Sequence, residues 1–262
     1  MDNITLPEPV QSFLNGLESR AITNLYGTPG TGKTNICMIA AADCARKGGK
    51  VIFIDTEGGF SLERLKQIAP HDYEDILKNI ELVEPRNLQE QTRVVRRLAE
   101  RKPDLVILDS SVALYRIEHA EMMEKMKGDS RQKHEETNNP CLQHAGQPEA
   151  GENDRKCEMD SIMTANRELS KQLSTLSLLA REKGIPVLIT THAFKSWGNG
   201  SYDIVGGDPV RYWSKSIIYL EKTGKTSERR AVLIKHRSQP EGKEVKFMLV
   251  NEGIKPSGFK IF

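Results

Sequence analysis

Residues 20–34 read RAITNLYGTPGTGKT, with Gly27-Thr28-Pro29-Gly30-Thr31-Gly32-Lys33-Thr34 at the core. The core matches G-x-x-x-x-G-K-[ST] throughout. That spacing has a physical cause. Successive backbone N–H groups must converge on one anion, which requires glycine where a side chain would clash or φ is positive. The helix that follows must present its N-terminus to the same anion. Ala21 to Tyr26 is an apolar run suited to a buried strand leading into the loop, and Asn35 to Arg46 is an Ala-rich stretch suited to the helix leaving it. The pattern predicts a phosphate-binding loop, with Lys33 as a point charge for β- and γ-phosphates and Thr34 as a Mg²⁺ ligand. A nucleoside triphosphate with Mg²⁺ is the expected ligand.

Two further apolar runs end in acids. Val51-Ile52-Phe53-Ile54-Asp55 is continuous, as a strand covered on both faces should be, and leads into Thr56-Glu57-Gly58-Gly59-Phe60. Ligands of open α/β sheets bind beyond the carboxyl ends of parallel strands, so Glu57 is a candidate to orient a water at the γ-phosphate. Leu105-Val106-Ile107-Leu108-Asp109 places Asp109 at a second strand tip, where it would organise Mg²⁺. Between them, Ser61 is a plausible cap for a helix over 61–69 whose apolar side is Leu62, Leu65 and Ile68–Ala69. Arg64 faces away from that side and is suited either to stack on a purine or to a surface role. Ile80 to Val83 reads as a strand and Asn87 to Arg101 as an arginine-laced helix. Ile185 to His192 is another buried strand with a polar tip, and Ser214 to Glu221, Arg229 to Lys235 and Glu244 to Val250 read as antiparallel strands joined at Gly224 and Pro240–Gly242.

The chain has 262 residues, enough for one α/β domain with an inserted segment. No apolar run reaches the roughly 18 residues of a membrane span, and the N-terminus has no basic segment ahead of an apolar core. Cytoplasm is the expected compartment. Cys37 and Cys44 are seven apart on one helix face and read as small core residues.

Charge is uneven beneath the formal net of +2. Residues 118–160 hold 6 Lys+Arg against 11 Asp+Glu, a net of −5, and residues 211–262 hold 12 against 5, a net of +7. The basic end suits a polyanion or a solvated face. The stretch 117–165 is polar and aperiodic, and reads as an irregular excursion. Its His134, Cys141, His144 and Cys157 offer a weak zinc alternative without paired Cys-x-x-Cys knuckles. Helix spacing resumes at Asn166 and runs to Lys183. The stretch 193–207, AFKSWGNGSYDIVGG, is glycine-rich and carries Lys195, Trp197 and Tyr202, a set suited to stacking on unpaired bases or to packing.

In order, these motifs resemble the RecA-type recombinase core, most closely its archaeal RadB branch, over most of 14–115 and 166–262. The resemblance implies a RecA-like α/β fold. Its parts would be a mostly parallel twisted sheet, helices on both faces and a C-terminal antiparallel β-hairpin extension, in a single domain over 1–262. It implies that Glu57 activates water, that Arg64 faces adenine, and that Asp109 serves the metal. Gly27, Thr28, Pro29, Gly30, Thr31, Gly32, Lys33 and Thr34 would hold phosphate. Residue 192 would be the γ-phosphate sensor ahead of a second DNA-binding loop containing Lys195, Trp197 and Tyr202. The family sensor is usually Gln, whereas this chain has His192, which can titrate. In the family ATP sits between subunits, and Lys235 and Arg237 match the basic residues that reach a neighbour's γ-phosphate. Such a charge can matter by ~10³-fold or more.

The resemblance also implies weak ATP turnover, single-stranded DNA as the preferred polyanion, and an accessory role beside a main recombinase or a junction nuclease. A homo-oligomer is compatible with it. No helix-hairpin-helix domain and no Phe-x-x-Ala segment precede the core, so long filaments are not expected. Two rival readings remain open. One is a regulatory ATP-sensing module related to RecA; the other is a non-hydrolysing adaptor that docks a partner through the acidic stretch.

Overall fold

The computed structural model describes residues 4–6, 8–121, 124, 150–196 and 202–257, with side chains from 166 onward in the helix that begins at Ala150. The first half alternates strand and helix. Its order is α1 (Val10–Leu14), β1 (Ile22–Gly27), α2 (Lys33–Arg46), β2 (Val51–Asp55), α3 (Leu62–Ile68), α4 (Tyr73–Leu77), β3 (Ile80–Val83), α5 (Leu88–Arg97) with a 3-10 turn Leu98–Glu100, and β4 (Leu105–Asp109). Residues 113–121 form α6. Then come α7 (Ala150–Lys183), β5 (Val187–Lys195), β6 (Tyr202–Ile204), α8 (Gly207–Trp213), β7 (Ser214–Lys222), β8 (Glu228–Lys235), β9 (Glu244–Val250) and β10 (Gly253–Pro256).

The described strands form one sheet in the order β10-β9-β8-β7-β1-β5-β4-β2-β3, with β6 paired to β5. From β7 to β3 every pairing is parallel, and from β7 to β10 every pairing is antiparallel. Residues of β1, β2 and β4 are buried along their whole length, which explains why those runs are apolar rather than alternating. One face packs Phe13, Met38, Phe53, Leu65 and Phe247 with α1 to α4. The other packs Ile54, Val95, Leu108, Leu173 and Ile189 with α5, α7 and α8. The expected helices on both faces and antiparallel C-terminal extension are therefore present. Cys37 and Cys44 are both buried on α2.

Local signals act as read. Ser61 Oγ accepts from Arg64 N at 3.2 Å, and Asn87 Oδ1 accepts from Glu90 N at 2.9 Å, so both helices start on a side-chain cap. Past α2, Gly48 takes φ +80° and Gly49 N–H returns to Cys44 O at 3.0 Å.

Four expectations need correction. The helix expected from Asn166 begins at Ala150, so residues 150–165 are not an irregular excursion. Glu152, Arg155, Lys156, Glu158 and Met159 are good helix formers, so propensity favours helix there without an apolar stripe in the sequence. Its acids Glu152 and Asp154 lie near the N-terminus and Arg181 and Lys183 in the last turn, which matches the helix dipole. The 193–207 stretch is no simple loop: β5 continues to Lys195 and returns through β6, pairing Ala193 with Ile204 and Lys195 with Tyr202, and α8 begins at Gly207. β-Branched and aromatic residues at 194, 202 and 204 favour that hairpin. A fourth antiparallel strand, β10, follows the three expected. Leu62, assigned to the apolar side of α3, is 39% exposed. Trp197, His134, Cys141 and His144 lie outside the described residues, and Cys157 lies in α7 where only the backbone is described. Among the described residues no helix is long and apolar enough to cross a membrane.

Candidate nucleotide site

β1 delivers the Gly27–Thr34 loop to the carboxyl end of the parallel sheet, and α2 starts at Lys33 directly behind it. Gly30 and Gly32 take φ +76° and +98°, a region that L side chains avoid. At Gly27 the constraint is closeness, since a Cβ there would lie 2.2 Å from Leu220 O. Thr31 Oγ1 donates to Thr28 O at 2.9 Å and closes the loop on itself. Lys33 Nζ donates to Gly27 O at 2.9 Å and to Thr28 O at 3.2 Å. Lys33 is buried, and burial pulls its pKa below the ordinary lysine value against the opposing fields of Asp109 and Glu57.

β4 brings Asp109 beside this loop. Thr190 of β5 donates its hydroxyl to Asp109 Oδ1 in a short hydrogen bond. Asp109 Oδ2 is buried and has no well-formed hydrogen bond among the described residues. Burial raises the Asp109 pKa above its ordinary value, opposed first by Thr190 and then by the Thr34 hydroxyl. A buried carboxylate oxygen without a well-formed hydrogen bond, beside the Thr34 hydroxyl, is a hard oxygen pair of the kind Mg²⁺ takes. The residues present fit that ion.

β2 brings Glu57. Asp55 is buried at the strand tip and accepts from three backbone N–H groups: Glu57 at 3.1 Å, Gly59 at 3.2 Å and Phe60 at 2.7 Å. That cradle fixes the turn on which Glu57 stands. Gly59 lets the turn close on α2, since a Cβ there would meet Thr34 Cγ2 at 3.2 Å. Thr56 clamps the turn to β4, with its Oγ1 donating to Ser110 O and accepting from Ser110 N, both at 2.8 Å.

β5 brings His192, whose Nε2 meets Glu57 Oε1 in a short contact. The two sequence candidates for water activation and phosphate sensing thus touch each other. The His192 contact is the first cause holding the Glu57 carboxyl below its ordinary pKa, assisted by Lys33 and Arg116 and opposed by burial. The other end of this link is the hairpin, since Val205 N–H donates to His192 O at 2.9 Å.

Other candidates lie elsewhere. Arg64 gives Nε to Asn35 Oδ1 at 2.7 Å, Nη1 to Asn251 O at 2.8 Å and Nη2 to Val250 O at 2.8 Å, so it braces the β9–β10 turn against α2 and α3. Lys235 Nζ donates to Arg211 O at 2.7 Å and Ser214 O at 2.9 Å, and Arg237 lies 3.8 Å from Glu18. Both sit at the sheet end opposite this chain's own Gly27–Thr34 loop, because Lys235 pairs with Ile217 near the start of β7. Lys195 and Tyr202 face each other on the hairpin. Sequence reasoning missed Asp55 and Thr190. Asp55 carried a readable signal, an acid closing an apolar run just before Gly-Gly; Thr190 inside an apolar strand carried none.

The Rad51 family pattern matches residues 7–145. The chain is 34% identical over 265 residues to the DNA repair and recombination protein RadB of Methanobrevibacter smithii, covering 97% of this chain and 96% of that one. This chain belongs to the Rad51 family. A second RadB, from Methanococcoides burtonii, is 34% identical over 252 residues and covers 95% of each chain. A crystal structure of the RadB recombinase superposes with a TM-score of 0.68 at 28% identity, covering 94% of this chain and 96% of that chain. The sheet is accordingly that of a RecA-like fold.

Proposed function

We propose that this chain binds MgATP at Gly27–Thr34, hydrolyses it slowly, and binds single-stranded DNA as an accessory protein of homologous recombination and repair. The observation that carries the reading is the convergence of Lys33, Thr34, Asp109 and the Glu57–His192 pair at one end of the parallel sheet. The RadB names of the full-length relatives support the recombination context.

The loop N–H groups and Lys33 would hold the β- and γ-phosphates. Thr34 and Asp109 would hold Mg²⁺, which when bound neutralises charge on the phosphate oxygens. Glu57 accepts a proton from, or orients, the attacking water, and Asp55 keeps Glu57 in place. His192 holds the same carboxylate and is attached to the hairpin through Val205, so nucleotide state and hairpin position share one contact. Lys235 and Arg237 act on a phosphate only where a second copy brings them to this chain's loop. Lys195, Tyr202 and the basic C-terminal third supply cations and an aromatic face for unpaired bases.

The deciding experiment measures ATP turnover with and without single-stranded DNA, together with DNA binding across a salt series. Stimulated turnover and affinity that falls linearly with log salt are expected. Tyr202→Ala is expected to weaken single-strand binding by about 1–3 kcal/mol, read by fluorescence anisotropy. Salt-independent binding, or none, would remove DNA from the reading and leave an ATP-dependent adaptor.

The acid side of the pH–rate profile tests the Glu57–His192 contact. Glu57 is held below its ordinary pKa, so it stays ionised until pH falls through that depressed value. His192→Ala removes the main cause, and the Glu57 pKa rises. The acid limb of turnover is then expected to move to higher pH, with Glu57 protonating earlier. A limb that stays in place would show that the contact does not set Glu57's ionisation.

A further inference from the structure

A second pair of cations approaches the phosphate loop from the C-terminal strands. Lys222 closes β7 and Arg229 is the second residue of β8, and the two are cross-strand partners. Arg229 Nε donates to Gly30 O at 3.0 Å, while its Nη1 is anchored on Thr226 O at 3.0 Å and Glu228 O at 2.9 Å. Lys222 Nζ lies 3.1 Å from the point where a Cβ on Gly30 would stand, so the glycine leaves room for the ammonium.

Lys222 is uncompensated. It is exposed, and its ammonium has no hydrogen bond or carboxylate partner among the described residues. The acids on the same two strands are committed elsewhere: Glu221 to Arg230, and Glu228 to Thr223, Ser257 and Lys225. Lys33, Lys222 and Arg229 therefore crowd positive charge onto one loop that already presents N–H groups, and Lys222 repels the charge on Lys33. A bound polyanion turns that mutual repulsion into attraction.

We propose that Lys222 is a second phosphate-loop cation, contacting the phosphate tail of a nucleoside triphosphate held at Gly27–Thr34, with Arg229 as a positioning residue that keeps the loop apex in place through Gly30. This inference rests on the nucleotide reading above. The flexible four-carbon stem of lysine allows the ammonium to swing from the outside of the loop onto an oxygen.

Calorimetric titration of the full chain with MgATP and MgADP tests it, using the parent, Lys222→Ala, Lys222→Arg and Lys222→Glu. Lys222→Ala is expected to weaken MgATP binding about 5–10-fold and MgADP binding less, and Lys222→Glu more than Lys222→Ala. Lys222→Arg restores affinity to within about two-fold, because it keeps the charge. The gap between parent and Lys222→Ala narrows as salt is raised. Parent-like MgATP affinity in Lys222→Ala overturns the inference and leaves the nucleotide site intact. Equal loss in the Arg and Ala variants also overturns it, since charge would then be irrelevant. If the parent itself fails to bind MgATP, the nucleotide reading fails and this inference falls with it.

Discussion

Glu57→Gln is expected to slow ATP turnover by about 10²–10⁴-fold while leaving MgATP affinity within about two-fold of the parent. The separation follows from where Glu57 stands. In the proposed site phosphate would be held by the Gly27–Thr34 loop and Lys33, on β1 and α2, whereas Glu57 rides on the turn after β2 and is steered by Asp55. Glutamine keeps the shape and can still meet His192, but it cannot accept a proton from water at neutral pH. The check is single-turnover hydrolysis alongside equilibrium nucleotide binding. Lys33→Ala is the complementary case, expected to lose binding itself because it removes the charge buried in the loop. If Glu57→Gln turned over like the parent, water activation would belong to another group.

Phe53→Ala is expected to destabilise the fold by about 3–5 kcal/mol. Phe53 is fully buried at the centre of β2 and stacks edge-on against Phe60, with ring centroids 5.1 Å apart. Truncation leaves a cavity between the sheet and the α2 to α4 layer, and rigid neighbours on β4 and β3 limit collapse around it. Thermal unfolding should show a midpoint lower by roughly 10 °C for a chain of this size. Phe60 closes the turn that carries Glu57, so the surviving folded protein should also turn over more slowly. A shift within experimental error would mean that the cavity is refilled.

Much of the fold was legible because its signals are local. The loop glycines, the apolar runs 51–55 and 105–109, and the caps Ser61 and Asn87 each state their structure within a few residues. Polar segments whose order comes from propensity or pairing were less legible. Ala150 to Thr164 forms helix without a repeating apolar stripe, and Ala193 to Lys195 forms strand only because Tyr202 to Ile204 returns alongside it. Within the site, the individual acids were readable, but their relations were not. The Glu57–His192 contact joins residues 135 apart in sequence, and the Asp109–Thr190 bond joins residues 81 apart. Arg64 shows the same limit: its place on α3 was readable, whereas its bonds to Val250 O and Asn251 O depend on where the C-terminus folds back.

The position of β1 between β5 and β7 bears on how the molecule is made. β1 spans Ile22–Gly27, yet its two neighbours begin at Val187 and Ser214. During synthesis the Gly27–Thr34 loop emerges early, and its strand keeps one edge unpaired until Val187 follows, 187 − 22 = 165 residues after Ile22, and the other until Ser214 follows, 214 − 22 = 192 residues after it. Assembly of that centre closes very long loops and is accordingly slow. A ligand that recognises only the finished loop would favour the completed chain over its precursors by mass action. Supply of that ligand would then govern how much of the newly made protein survives, as well as what it does once folded.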